Sequence, residues 1–215
     1  YMTAIAVCTN FFNGFRYAVA GYMFEYCLHG NVTIEGLIIN YTVFMAFGEV
    51  TCMIFGGLSP VFTKTVGSKR MAFFWSALLC LVLSIAFFFI PMSPDYIWVM
   101  IALVILTSIG IGIYSPLMWS MYADVADYHT EHFGTSATGL IFSSGTMSQK
   151  FGTAISGSLI ALFLGWAGAN MITDKMGNTV IDPTSITDSV LMMVWSLFSL
   201  FPAVIAFLLM VLSYK

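Results

Sequence analysis

The chain runs through long apolar stretches broken only by short polar segments, and it lacks the charged residues that would put a water-facing shell around them. Charged side chains are 8% of the residues, against about 25% in an ordinary soluble domain, and 60% of the residues are hydrophobic. Seven basic and 10 acidic side chains in 215 residues cannot cover a soluble surface of this size. The same numbers exclude a disordered chain, which needs low hydrophobicity and high net charge. A net charge of −3 offers no basic patch to nucleic acid. What remains is a polytopic membrane protein.

A helix needs about 20 apolar residues to cross the hydrocarbon core. Reading the runs against their polar breaks predicts six transmembrane helices at about 1–28, 36–60, 71–91, 96–123, 137–168 and 189–213. The breaks are His29-Gly30-Asn31, the segment from Lys64 to Arg70 around Gly67, the turn Pro91-Met92-Ser93-Pro94-Asp95, a polar loop from Asp124 to Ser136, and a longer one from Ala169 to Asp188. Spanning β-strands would alternate in polarity over about ten residues, so the fold class is an all-α membrane protein. The chain starts at Tyr1 inside apolar sequence, with no signal peptide, and stops just past a hydrophobic run. That predicts a piece of a longer protein. Cys8, Cys27, Cys52 and Cys80 fall in apolar stretches without a CxxC pair and read as packing residues.

Loop lysines and arginines orient the spans. Lys64, Lys69 and Arg70 cluster between the second and third, so that end faces the cytoplasm, together with the 124–136 loop and Lys215. The opposite loops carry only Lys175. Both ends of the piece are then cytoplasmic.

The third and sixth spans are free of charge and suit lipid contact. The first, second and fifth carry Arg16, Glu49 and Lys150. A charge at the bilayer centre costs about 2.5–3.5 kcal/mol on insertion scales, so these residues should face a bundle interior or a wet cavity. Counting residues from the span starts puts all three near the midplane. There Glu49 can neutralise Arg16, Lys150 or both, either as a structural ion pair or as part of a substrate or coupling-ion pathway. On the fifth span, Gly139, Ser143, Thr146, Lys150, Thr153 and Gly157 follow helical spacing and form one small, polar face with a cation at its centre, beside Gln149. Ser108, Gly112, Ser115, Trp119 and Tyr122 form a similar stripe on the fourth span, suited equally to packing and to lining a cavity. Asn10, Asn13 and Tyr17 share a face of the first. The order cavity, cavity, lipid repeats after three spans, which predicts a 3+3 inverted repeat, a transporter device.

The segment Asp124-Val-Ala-Asp127-Tyr128-His129-Thr-Glu131-His132 admits two readings: a metal or hydrolase site, though it fits no HExxH spacing, or a gate whose acids pair with basic loops. The motifs favour the second. Ser115-Pro-Leu-Met-Trp-Ser-Met-Tyr-Ala-Asp124-Val-Ala-Asp127-Tyr128, then Gly139-Leu-Ile-Phe-Ser, then Gln149-Lys150-Phe-Gly152, resembles the glycoside–pentoside–hexuronide:cation symporters of the major facilitator superfamily. Gly21-Tyr22-Met-Phe-Glu-Tyr26 is similar to an aromatic signature of that family, with Gly21 at its first position, and Gly67-Ser-Lys69-Arg70 is similar to the superfamily's basic loop between helices eight and nine.

The resemblance implies helices 7–12 of such a transporter, its C-terminal half, with the N-terminal half absent. It implies a protein of the bacterial inner membrane and no enzyme: a symporter that moves sugars or sugar conjugates with Na+, Li+ or H+ by alternating access, without cofactor or resident metal. Lys150 matches a helix-eleven lysine near the cation site, and Thr146 a polar residue near the sugar. Gly145 stands where the family has glutamine. In this reading Lys150, Thr146, Gln149, Arg16, Asn13, Glu49 and Tyr22 handle substrate and cation. Asp124, Asp127, Tyr128, Lys69 and Arg70 form the gate. Its partners are the substrate, the coupling cation, the bilayer and the other six-helix half. The competing expectations are a facilitator for a non-sugar solute, an intramembrane metal-dependent hydrolase, and a pore, for which no selectivity-filter repeat is visible.

Overall fold

The computed structural model describes residues 2–30, 32–34, 37–173 and 179–214. Asn31, Lys175 and Lys215, used above to set breaks and orientation, lie outside them. Six long helices make up the described chain: α1 (Met2–Tyr22), α2 (Tyr41–Val66), α3 (Lys69–Phe88), α4 (Ile97–Phe133), α5 (Thr138–Trp166) and α6 (Asp188–Tyr214). Two short antiparallel hairpins, β1 (Val32–Ile34) with β2 (Leu37–Ile39) and β3 (Met171–Thr173) with β4 (Thr179–Ile181), lie in the connections before α2 and before α6. They depart from the purely helical expectation, and the first moves the start of the second helix from about residue 36 to Tyr41.

Local chemistry sets the helix ends. Asn40 caps α2 by accepting from the Val43 N–H at 2.9 Å. Gly67 ends α2 in the left-handed region at φ 83°, where its N–H reaches the Thr63 carbonyl. The polar loop expected at 124–136 is mostly helix, because α4 continues to Phe133 and stops at Gly134, at φ 67°. Asp, Glu and His in this stretch leave the backbone ladder intact and break only the hydrophobicity, which is why a hydropathy boundary falls ten residues early. Beyond β4, Asp182 accepts from the Thr184 N–H at 3.0 Å, and these Thr184 bonds hold its carboxyl below the usual carboxylate value.

Among the described residues, four helical segments are long and apolar enough to cross a membrane: Tyr41–Val66, Lys69–Phe88, Pro94–Phe133 and Asp188–Tyr214. The remaining two long helices, α1 and α5, are the ones that carry Asn10, Asn13, Arg16 and the Lys150 stripe.

Packing is pairwise. α1 lies along α5 and α6, α2 along α4, and α3 along α4 and α6. α6 is not simply a lipid-facing helix: Val190, Val194, Trp195, Phe198 and Leu209 are buried, and the Trp195 indole N–H donates to the Phe88 carbonyl at the end of α3. α3 buries Ala72, Phe73, Ala77 and Cys80, and it exposes Met71, Trp75, Leu79, Val82, Ile85 and Phe89 along one apolar stripe.

Two pairs close where a glycine lets backbones touch. A Cβ on Gly112 of α4 would sit 2.6 Å from the Cys52 carbonyl of α2. One on Gly152 of α5 would sit 2.8 Å from the Phe11 nitrogen and 2.9 Å from the Val7 carbonyl of α1. Such approaches maximise van der Waals contact where lipid removes the hydrophobic drive. Gly112→Leu and Gly152→Leu should each cost about 1–3 kcal/mol through overpacking. Thermal unfolding in detergent is then lowered for both, while Gly57→Leu, whose Cβ meets nothing within 4 Å, melts like the parent.

Candidate functional site

α5 divides into two faces by its own spacing. Gly145, Ser148, Gly152, Ser156, Ile160 and Leu164 are buried. Gly139, Ser143, Thr146, Lys150, Thr153 and Gly157 are exposed without exception. The buried side is small at 145, 148, 152 and 156, and the polar stripe is left uncovered, flanked by the exposed apolar side chains of Leu140, Met147, Phe151 and Ile155. The Thr146 hydroxyl donates to the Ser143 carbonyl, and that of Thr153 lies 3.0 and 3.1 Å from the carbonyls of Gln149 and Lys150. These bonds hold the hydroxyls along the helix while leaving their lone pairs available to accept. Gln149 is half-buried.

α1 continues this face. A groove of about 570 Å³ is lined by Asn10, Asn13, Tyr17, Tyr41, Thr153 and Gly157, among others. Asn13 accepts from the Tyr114 hydroxyl at 3.4 Å. Asn13 and Tyr17 also line a narrower cavity with Arg16, Glu49, Cys52 and Ser108. Arg16 is buried, with its guanidinium carbon 5.9 Å from the centre of the Phe12 ring. Glu49 is exposed at the seam of α1 and α2. Among the described residues no ion pair under 4 Å joins Glu49 to Arg16 or to Lys150.

The three charges do not share one depth. Gly152 packs against Val7 to Phe11, and Ser156 against Gly14. Lys150 is therefore level with the first third of α1, and Arg16 lies about 12 Å farther along the axis at 1.5 Å per residue. Counting from span starts misses this, because the register of packed helices is set by where glycines let them touch. Glu49 is brought to Arg16 and not to Lys150.

The α4 stripe resolves mainly to packing: Ser108, Gly112 and Tyr122 are buried, and Ser115 and Trp119 are half-buried. Trp119 stacks on Phe142 at an interplanar angle of 3°. A Cβ on Gly145 would meet the Trp119 ring at 3.0 Å, so the indole occupies the room that a larger residue at 145 would need.

At the opposite end from the hairpins, Lys69 bridges both Asp124 oxygens at 2.7 Å. Arg70 turns away from the acids. Its guanidinium donates to the Ser213 carbonyl at 3.1 Å and to that of Tyr214. The helix dipole explains the split. Two cations in the first turn of α3 are unfavourable beside its positive end, and each finds negative charge elsewhere, one on a carboxylate and one at the C-terminus of α6. Asp127 is exposed, and Tyr128 stacks on His132 one turn along α4. Among the described residues no three His, Cys, Asp or Glu side chains converge to hold a metal ion.

Tyr22 lies nearer the hairpins, its ring nearly parallel to that of Tyr26 at 6.2 Å. Both line a second pocket with Glu25. Glu25, Tyr41 and the β4 residue Ile181 were not anticipated as site residues. Glu25 could have been found, since it continues the face through Asn10, Asn13, Tyr17 and Gly21.

A model of the MFS/sugar transport protein family matches residues 2–215. The chain belongs to this family. Its relatives in Escherichia coli (strain K12) include the inner membrane symporter YicJ, 30% identical over 129 residues, 59% of this chain and 27% of the relative. The glucuronide carrier protein homolog is 33% identical over 114 residues, 52% and 24% respectively. A protein provisionally named glycoside/cation symporter YagG is 29% identical over 121 residues, 53% and 26%. The chain thus matches about a quarter of the length of each. No solved structure matches it. The family is one of membrane transporters, which are not enzymes.

If Glu49 neutralises Arg16, then Glu49→Gln should impair folding yield or transport of the full-length protein, and adding Arg16→Gln should recover part of the loss. Adding Lys150→Gln should recover nothing. Additive effects in the Arg16 cycle would refute the pairing.

Proposed function

We propose that the chain is the six-helix C-terminal half, helices 7–12, of a symporter that moves a sugar or glycoside together with Na+ or H+ by alternating access. The observation that carries this reading is the uncovered polar stripe of α5. It is centred on Lys150 and continued by Asn13 and Tyr17 of α1, in a chain otherwise built for lipid. In a bilayer such a face is tolerable only against water or another protein surface. All six long helices then cross the membrane, and α1 and α5 do so despite their polar residues because those residues turn toward a cavity shared with the N-terminal half.

A 3+3 inverted repeat fits the packing. Exchanging α1 with α4, α2 with α5 and α3 with α6 turns the α1–α5 pair into the α4–α2 pair, and both close on glycine. The end bearing Lys64, Lys69 and Arg70 faces the cytoplasm.

The chemistry is binding without covalent steps. Lys150 is a fixed cation that organises carboxylates of the other half and responds to the bound ion. Thr146, Gln149 and Asn13 supply hydroxyl and amide groups to sugar hydroxyls, and the Tyr22 ring offers an apolar face farther along α1, toward the hairpins. Arg16 and Glu49 line one narrow seam, where their opposite charges favour the approach of α1 and α2 without a direct ion pair. Lys69 with Asp124, flanked by Asp127 and Tyr128, closes the cytoplasmic end. The pair is 38% and 56% exposed, so it contributes little to stability and can break and reform as the halves rock. The relatives named as a glucuronide carrier homolog and a glycoside/cation symporter support the substrate class.

Lys150→Ala in the full-length protein should abolish cation-driven uptake at unchanged membrane expression. Normal uphill accumulation of a labelled glycoside by that variant would sink the assignment. A panel that includes organic acids and drugs tests the substrate class, since uptake of those alone would replace the sugar.

A further inference from the structure

The hairpin end of α1 carries a pocket of about 540 Å³, within the range of about 300–1,000 Å³ usual for small-molecule sites. One wall is Ala18, Gly21 and Tyr22 of α1, with Glu25 and Tyr26 in the π-helical turn that follows. The other wall is Ile172, Val180, Ile181 and Pro183 of the β3–β4 hairpin and its exit. Tyr26 fastens the two walls. Its hydroxyl accepts from the Ile181 N–H at 2.9 Å and donates to the Ile181 carbonyl at 3.3 Å. The hairpin is thereby pinned beside α1, and the gap between them stays open. A Cβ on Gly21 would meet nothing within 4 Å, so the floor is empty space.

The lining has a definite chemical character. Tyr22 and Tyr26 present nearly parallel rings, inclined by 17°. Glu25 adds an exposed carboxylate between them in sequence. Aromatic faces take the C–H face of a pyranose, and a carboxylate accepts two hydroxyl protons at once. This pocket and the groove at Asn13 share Ala18. From Asn13 to Glu25 is about 18 Å of helix, so two binding positions lie in file along one face of α1.

We propose that the pocket under the β3–β4 hairpin is a holding subsite for one sugar ring of a glycoside, between bulk water and the deeper groove at Asn13. The identity of the ligand rests on the transport reading above. The subsite itself is separate from the Lys150 stripe. Tyr22 and Tyr26 stack the ring, Glu25 orients it through paired hydroxyls, and the Tyr26–Ile181 bonds hold the wall against which it rests.

The test places a thiol on the empty floor. Gly21→Cys is made in the full-length protein with its native cysteines replaced by alanine, in membrane vesicles. Labelling by a membrane-impermeant maleimide is timed with p-nitrophenyl β-glucuronide, p-nitrophenyl α-galactoside or p-nitrophenyl β-xyloside. At about ten times the half-protecting concentration, a bound glycoside should slow labelling about tenfold by mass action. Adding Glu25→Gln should raise the half-protecting concentration about tenfold, the loss of one charge-assisted pair of hydrogen bonds. Adding Lys150→Ala should leave protection intact. Labelling unslowed by all three glycosides overturns the proposal. So does protection that vanishes with Lys150→Ala, which would trace it to movement driven from the deeper site, or protection by NaCl alone, which would make the pocket a cation site. Uptake of the same glycosides by the parent protein is read in parallel. Its absence counts against the symporter reading, while protection still decides the pocket.

Discussion

An ammonium group in hydrocarbon costs about 2.5–3.5 kcal/mol even on the lenient insertion scales, and Lys150 has no carboxylate within 4 Å among the described residues. That imbalance governs the arrangement of the rest. A helix carrying Lys150, three threonines and several serines cannot present its polar side to lipid, so its other side must be able to pack. α5 meets this by placing Ser148, Gly152 and Ser156 on the packing side, where they let α1 come within backbone contact, and Gly145 against Trp119 of α4. The polar stripe is then presented outward beside Asn13 and Tyr17, as a surface that needs water, solute or a second protein body to cover it.

The same economy of small residues recurs where α4 meets α2. Gly112 lies on Cys52, Gly48 on Ser108, and the Ser59 hydroxyl donates to the Ile113 carbonyl at 3.0 Å. Two tight pairs, α1–α5 and α2–α4, are tied together on the far side by α3 and α6 through large apolar residues such as Phe87, Trp195 and Phe198. Between the pairs, α1 and α4 touch only briefly. The narrow seam where α1 meets α2 and α4 is lined by Arg16 of α1, which is buried, and by Glu49 of α2, which is exposed at its edge.

Much of this was legible from residue order. Six helices, the polar stripe of α5 and the Lys69–Asp124 region all follow from hydropathy and helical spacing. Other features were hidden for physical reasons. Hydropathy reports the lipid boundary and not the hydrogen-bonded ladder, so the helical stretch from Asp124 to Phe133 looked like a loop. Depth along a helix depends on which glycine meets which backbone, and that placed Arg16 beyond Lys150 instead of beside it. Arg70 looked like a gate cation by its neighbours in sequence, yet the carbonyl ends of α6 are closer than the acids of α4. The hairpins before α2 and α6 left no strong pattern in three-residue strands. The pocket at Glu25 was half visible, since its α1 wall follows helical spacing but its hairpin wall does not.

Site-directed spin labelling along α5 in the membrane-embedded full-length protein tests the central claim, that the Lys150 stripe faces an aqueous cavity. Labels introduced one at a time from residue 139 to 162 are read for collisions with a water-soluble nickel complex and with oxygen, which concentrates in lipid. Nickel accessibility should oscillate with the helical period and peak at 143, 146, 150, 153 and 157, with oxygen peaking on the apolar flank at 140, 147, 151 and 155 and both low at the buried 145, 148, 152 and 156. Oxygen maxima at those five positions would put the stripe in lipid and contradict the account.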